Sequence, residues 1–293
     1  MLVTAPILDF LRRLPLPPQV KEFLAFGYKQ ARACIFAGSF FGLLFISTKV
    51  AVPGVPRYDL ILIGALLIQL VLVATKTESL DELKMIMLYH VLGFVLESYK
   101  THPDIGSWTY PEEGWSKLGT VPLYSGFMYS AIGSYMSQAW RLQSLRLTNY
   151  SPKWITVGLS VAIYVNFFAH HFVPDIRVLL FAATLALYLR TRIWFRIGAN
   201  WYWMPLPMAA LLSSFFLWVA ENIGTLTGTW IYKGQTSADP VSFAKMGSWY
   251  LLLYVAFATV TLVARGALVR ASWRPDAQAA TTGNTVADPV PGA

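Results

Sequence analysis

Apolar residues gather along this chain in eight long runs, at approximately 31–49, 58–75, 81–99, 120–139, 154–172, 175–195, 203–222 and 247–268. Each is close to the ~20 residues a helix needs to cross a bilayer core, where lipid satisfies no bare backbone amide. The pattern predicts eight spans. The third run departs from it at the start, because Asp81, Glu82 and Lys84 fall in its first turn. Ahead of the first run, PQVKEFLAFGYKQ (18–30) reads as a short amphipathic helix at the membrane interface. From about Ala271 the small, proline and polar residues predict a disordered tail. The expected fold class is therefore all-α, a polytopic transmembrane helix bundle.

Composition agrees. Of 293 residues, 56% are hydrophobic and 13% charged, with a mean hydropathy of +0.50; soluble domains carry roughly a quarter charged residues. The net charge of +8 is spread singly along the chain, which excludes the dense basic stripe of a nucleic-acid module. Cys34 stands alone, excluding an internal disulfide and a cysteine metal cage. The opening MLVTAPILDFLRRLPLPP lacks the basic-then-apolar order of a cleavable signal. On an eight-span reading, 16 of the 23 Lys and Arg fall at the two ends and in the connections after spans two, four and six. The other seven are Lys49, Arg57, Lys100, Lys117, Arg177, Lys233 and Lys245. The positive-inside rule then places both ends in the cytoplasm of a plasma-membrane protein.

Two stretches repeat. GSWTYP (106–111) and GTWIYK (228–233) each follow an apolar run ending in a glutamate, VLGFVLESYKT (91–101) and FFLWVAENIGT (215–225). The preceding runs also align, both opening on Val-Pro: VPRYDLILIGALL (55–67) and VPDIRVLLFAATL (173–185). Four spans separate the glutamates, so both point the same way, and the chain reads as a direct repeat of four plus four helices. The expected divisions are an amino-terminal segment (1–30), two four-helix repeats (31–140 and 141–270) and the tail (271–293).

The block ESYKTHPDIGSWTYPE…VPLYSGFMYSAIGSY (97–135) resembles a bacterial family of multi-pass membrane proteins, the YoaT-like family, across roughly residues 10–275. That family has no settled function. More distantly, each half is similar to the lycopene cyclase and carotenoid hydratase superfamily, in which an intramembrane carboxylate precedes a Gly-x-Trp-x-Tyr loop and a Val-Pro helix opening. The resemblance implies chemistry on a long apolar substrate. The chain departs from the cyclases after the proline, where Leu123, Tyr124 and Ser125 replace their acidic pair.

Four residues are expected to carry chemistry. Glu97 and Glu221 lie inside apolar runs, where a carboxyl faces the bundle interior and could act as an acid/base group in a dry cavity; the plainer alternative is a structural hydrogen bond near the helix end. His90 lies two turns from Glu97 on one helix face, and Lys100 either pairs with Glu97 at a spacing of three or snorkels outward. Trp108, Tyr110, Trp230 and Tyr232, with Tyr124 and Asn222 beside them, are the expected substrate contacts, against the alternative of an interfacial aromatic belt that also takes in Trp115. The glycine two residues before each Trp predicts a tight turn that folds the loop over the bundle mouth. His102, His170 and His171 could hold zinc with an open position for water, although their spacing matches no zinc motif. These features suggest an intramembrane enzyme or binding protein for an isoprenoid or other lipid-like molecule. A proton-coupled small-solute transporter, a metal-dependent membrane hydrolase and a scaffold are the alternatives.

Overall fold

The computed structural model describes residues 5–263, 268–269 and 273. Ten helices are present among the described residues: α1 (Ala5–Arg13), α2 (Pro18–Ala33), α3 (Ile35–Ser47), α4 (Arg57–Ala74), α5 (Leu80–Lys100), α6 (Ser125–Gln143), α7 (Lys153–Ala169), α8 (Arg177–Tyr188), α9 (Leu206–Leu226) and α10 (Phe243–Val263). Each of the eight apolar runs is one of the helices α3–α10. Fewer are built to cross a membrane unaided. By length and apolarity α4, α9 and residues 243–262 of α10 qualify, and α2 with α3 qualifies as a pair bent by 64° at their junction. The apolar helices α7 and α8 are shorter. The expected tail from Ala271 lies outside the described residues apart from Trp273.

The acidic start of α5 is a capping device. The Glu82 amide donates to Ser79 Oγ (3.2 Å), and the Ser79 amide donates back to Glu82 Oε2 (2.7 Å). Two orphan donors of the first turn are thereby satisfied.

The all-α expectation needs correction. Seven short strands occur among the described residues: β1 (Trp108–Thr109), β2 (Lys117–Leu118), β3 (Val121–Pro122), β4 (Arg146–Thr148), β5 (Arg192–Ile197), β6 (Asn200–Pro205) and β7 (Ile231–Tyr232). β5 and β6 form an antiparallel hairpin with β4 along its other edge. They occupy the stretch assigned to the end of the sixth apolar run and the start of the seventh. The residues RIWFRI and NWYWMP are aromatic and β-branched, which favours a pleated surface. Ile197 pairs with Asn200 around a two-residue turn, and Gly198 takes φ 58° at its first position. Glycine adopts that angle without the Cβ clash other residues suffer.

Helix packing follows an order along the chain. α3 packs on α4 and α6, and α5 on α6; α7 packs on α8 and α10, and α9 on α10. The α5–α6 contact is close because it runs over glycine: a Cβ on Gly93 would lie 2.3 Å from the Tyr129 ring. The helix expected at the interface, α2, packs against α6 and β5, and Val20, Phe23 and Leu24 on it stay exposed.

Candidate functional site

The two glutamates sit in the last turns of α5 and α9. Each faces back toward the loop that follows its own helix. Glu97 Oε2 accepts from Trp108 Nε1 (2.6 Å) and the Tyr110 hydroxyl (2.9 Å), and Oε1 accepts from the Tyr129 hydroxyl (2.8 Å). Glu221 Oε2 accepts from the Tyr232 hydroxyl (2.5 Å) and Trp230 Nε1 (3.3 Å), and Oε1 accepts from Trp249 Nε1 (3.1 Å). So the Trp-x-Tyr of each loop binds the glutamate before it, and one aromatic of the next helix (Tyr129 of α6, Trp249 of α10) completes the set. An ionised carboxyl has about four lone-pair sites. Three donors leave one free on each.

The loops are shaped to permit this. Gly106 and Gly228, each two residues before its Trp, both take positive φ, 53° and 64°. The chain turns back over the helix end at both places. The two loops then pair with each other: β1 and β7 are antiparallel, with Trp108 opposite Tyr232 and their rings 5.8 Å apart, edge to face. The result is one two-stranded lid carrying both Trp-x-Tyr pairs. Arg57, at the start of α4, fastens it by an ion pair to Glu112 and by hydrogen bonds to the Thr227 carbonyl (2.9 Å) and Thr229 Oγ1 (3.0 Å).

Under the lid lies a chamber of about 780 Å3, walled by α2, α6, α9, α10 and the β5–β6 hairpin. Glu97 and Glu221 both line it, with Trp108, Tyr110, Trp230 and Tyr232. Most of the remaining wall is apolar, including Phe26, Met128, Phe195, Leu217 and Phe257. Two carboxyls in a largely apolar cavity can accept, hold or donate a proton to whatever enters, and the volume suits a lipid-sized molecule.

Other expected residues take different places. His90 is turned against α6, where its ring lies 4.6 Å from Phe127 and its Nδ1 is buried without a hydrogen-bond partner. It is not part of the chamber wall, and it shares no proton with Glu97. Lys100 does not pair with Glu97: its ammonium donates to the Phe167 carbonyl (2.5 Å) and contacts His171 Nε2 (3.0 Å). Tyr124 is fully buried outside the chamber and donates to the Thr229 carbonyl (3.2 Å). Asn222 secures the loop before α10, accepting from the Val241 amide (3.0 Å) and donating to the Trp218 carbonyl (2.7 Å). Trp115 is exposed, as a belt residue would be.

The three histidines do not gather. His170 and His171 stack at 4.1 Å, while His102 faces Asp104 (3.4 Å). Among the described residues no group of three or more His, Cys, Asp or Glu could hold a metal ion. Partial burial, then the Lys100 ammonium beside it, pushes the His171 imidazole down to about 4. Near neutral pH it is an uncharged acceptor.

Sequence reasoning missed three participants. Tyr129 and Trp249 were not among the expected contacts, yet both bind the carboxyls. Lys245 lies with its ammonium 3.9 Å above the Tyr232 ring. The signal available was the Gly-x-Trp-x-Tyr motif written twice, each copy followed by an aromatic-bearing apolar run.

These features define a mostly helical protein with three to four candidate membrane spans and a largely apolar chamber beneath a pair of joined loops. The chain belongs to the family described as "Protein of unknown function (DUF817)", whose model matches residues 22–257. It is 42% identical over 242 residues to the "Uncharacterized protein YoaT" of Bacillus subtilis (strain 168), covering 82% of this chain and 91% of that relative. No solved structure matches.

Proposed function

We propose that this protein receives a lipid-like apolar molecule in the chamber under its lid, with Glu97 and Glu221 as the acid/base groups that act on it. The observation that carries this reading is the convergence of both carboxyls on one largely apolar cavity, each oriented by three aromatic donors and each keeping one acceptor site. Three donors for one carboxyl are more than a helix end needs. They fix its direction, as a catalytic or binding group requires.

The reading includes eight spans in a direct four-plus-four repeat, with both ends cytoplasmic. Its support is threefold: the parallel packing orders of α3–α6 and α7–α10, the equivalent hydrogen bonds of the two glutamates, and the matching positive-φ glycines. α8 and α5 each present large apolar side chains to the outside, among them Val178 and Leu179, Val91 and Val95, as lipid-facing helices do. The likeness to the lycopene cyclases rests on the quoted motifs alone, and the missing acidic pair argues against cyclisation itself.

A second reading is proton-coupled transport, favoured by the position of both carboxyls at the junction of the two helix sets. Extraction and mass spectrometry of protein purified in a mild uncharged detergent separates the two. The lipid reading expects an apolar molecule retained at about one per chain and enriched over bulk membrane lipid. Lipid in the same proportions as the membrane, together with proton-driven uptake of a polar solute that Glu97→Gln abolishes, would favour transport.

A further inference from the structure

Beside the chamber lies a second, smaller pocket of about 100 Å3, lined by Lys100, Arg177, Lys245, His170 and Ser107. The two cavities share Trp108, Phe167, Lys245 and Ser248 as a common wall. The small pocket has an excess of positive charge. Arg177 is matched by Asp175 (2.9 Å). Neither Lys100 nor Lys245 has an ion-pair partner among the described residues.

Lys100 is only 1% exposed. Two of its three N–H donors are spent on neutral acceptors, the Phe167 carbonyl and His171, while the ammonium rests 4.3 Å from the Phe167 ring centroid. The third donor has no acceptor among the described residues. Lys245 makes no side-chain hydrogen bond among the described residues, and its ammonium is held over the faces of Tyr232 and Trp108 (3.9 and 5.7 Å). The Glu221 carboxyl is near enough to act on the charge of Lys245, so Lys100 is the buried charge without a counter-charge; such a charge is costly, and a chain retains it where something else supplies the opposite sign.

We infer that the ligand of this chamber is an anionic amphiphile, its carboxylate or phosphate head bound by Lys100 and Lys245 in the small pocket and its apolar chain lying in the large one. The inference rests on the proposed chamber function and deepens it. The shared wall carries the argument: an anionic head in the small pocket would have its chain leave past Lys245 directly into the chamber. Trp108 and Tyr232, which hold Glu97 and Glu221, flank that passage. The two carboxyls would therefore meet the first carbons of the chain, next to the head. Head recognition by two ammonium groups also separates such a ligand from neutral lipids, which leave the Lys100 charge bare.

The test compares three ligands of equal chain length, dodecanol, dodecanoate and dodecyl phosphate, with inorganic phosphate as a fourth. Binding to the full chain in an uncharged maltoside detergent is read by tryptophan fluorescence. Both anionic chains should bind at least about tenfold more tightly than dodecanol, the expected scale for hydrogen bonds to a charged head. Lys245→Met and Lys100→Met should each reduce that preference severalfold, with an unchanged far-ultraviolet circular dichroism spectrum showing that the variants are folded. Equal binding of dodecanol and the anions, or a preference that survives both substitutions, would overturn the anionic head while leaving the chamber intact. Inorganic phosphate binding as tightly as dodecyl phosphate would overturn the amphiphile and assign the pocket to a free anion. Failure of every chain to bind would count against the chamber reading itself.

Discussion

Replacing Glu97 with leucine should lower stability by about 2–5 kcal/mol, the largest loss expected from any single change in the site. Glu97 is 1% exposed and is the acceptor for Trp108, Tyr110 and Tyr129 together. Leucine is of similar size, so packing changes little and the effect comes from three stranded donors. Hydrogen bonds inside membrane proteins average ~0.6 kcal/mol and reach ~1.7, which sets the range for three. Glu97→Gln keeps an oxygen acceptor and should cost clearly less. Apparent melting of the purified protein, followed by tryptophan fluorescence, measures both. A leucine variant within about 0.5 kcal/mol of the parent would mean that the aromatic donors find water or other partners, and that the carboxyl is not the hub drawn here.

Gly224→Ala should be the most damaging change that adds a single methyl group. A Cβ at this position would fall 1.8 Å from the Trp230 ring. The ring cannot stay, and moving it breaks its bond to Glu221 and opens the lid. Overpacking of this kind costs typically ~1–3 kcal/mol, whereas alanine in a helix interior gains up to ~1 kcal/mol over glycine. The clash wins. On a Trp230→Leu background the clash is gone and only the helix preference remains, so the same substitution should become neutral or mildly stabilising. Melting of the four proteins of this cycle decides it. An identical penalty with and without the Trp230 ring would show that Gly224 is constrained by something else.

Much of the helical fold was legible because apolar runs of bilayer length can form little else. The paired glutamates and their loops were legible too, since each motif was written twice and glycine before Trp marks a reversal. The hairpin at 192–205 was hidden because its aromatic and aliphatic residues read as the ends of the flanking apolar runs, and only the two-residue Gly-Ala break signals a turn. The expected histidine cluster failed for a different reason. His102 turns to Asp104, while His171 contacts the Lys100 ammonium and stacks on His170. His90 shares a helix face with Glu97 by count alone, and the bare backbone of Gly126 draws its ring aside: a Cβ there would lie 2.6 Å from His90 Nδ1. Contacts between distant segments were the illegible part. Nothing in the spacing of Tyr129, Trp249 or Lys245 says which carboxyl or ring each will meet.

Glu97 and Glu221 open onto one shared, largely apolar chamber. Dicyclohexylcarbodiimide, an apolar reagent, adds to a protonated carboxyl and rearranges to a stable acylurea, so peptide mass spectrometry reports each modified glutamate separately. Both residues should be labelled in the native protein, and a single long-chain ligand should protect the two in parallel over the same concentration range. Glu78, equally buried but bound by Gln69 and Ser134 away from the chamber, should stay unlabelled throughout. Labelling of one glutamate without the other, or protection of one alone, would place them in separate compartments and contradict the account.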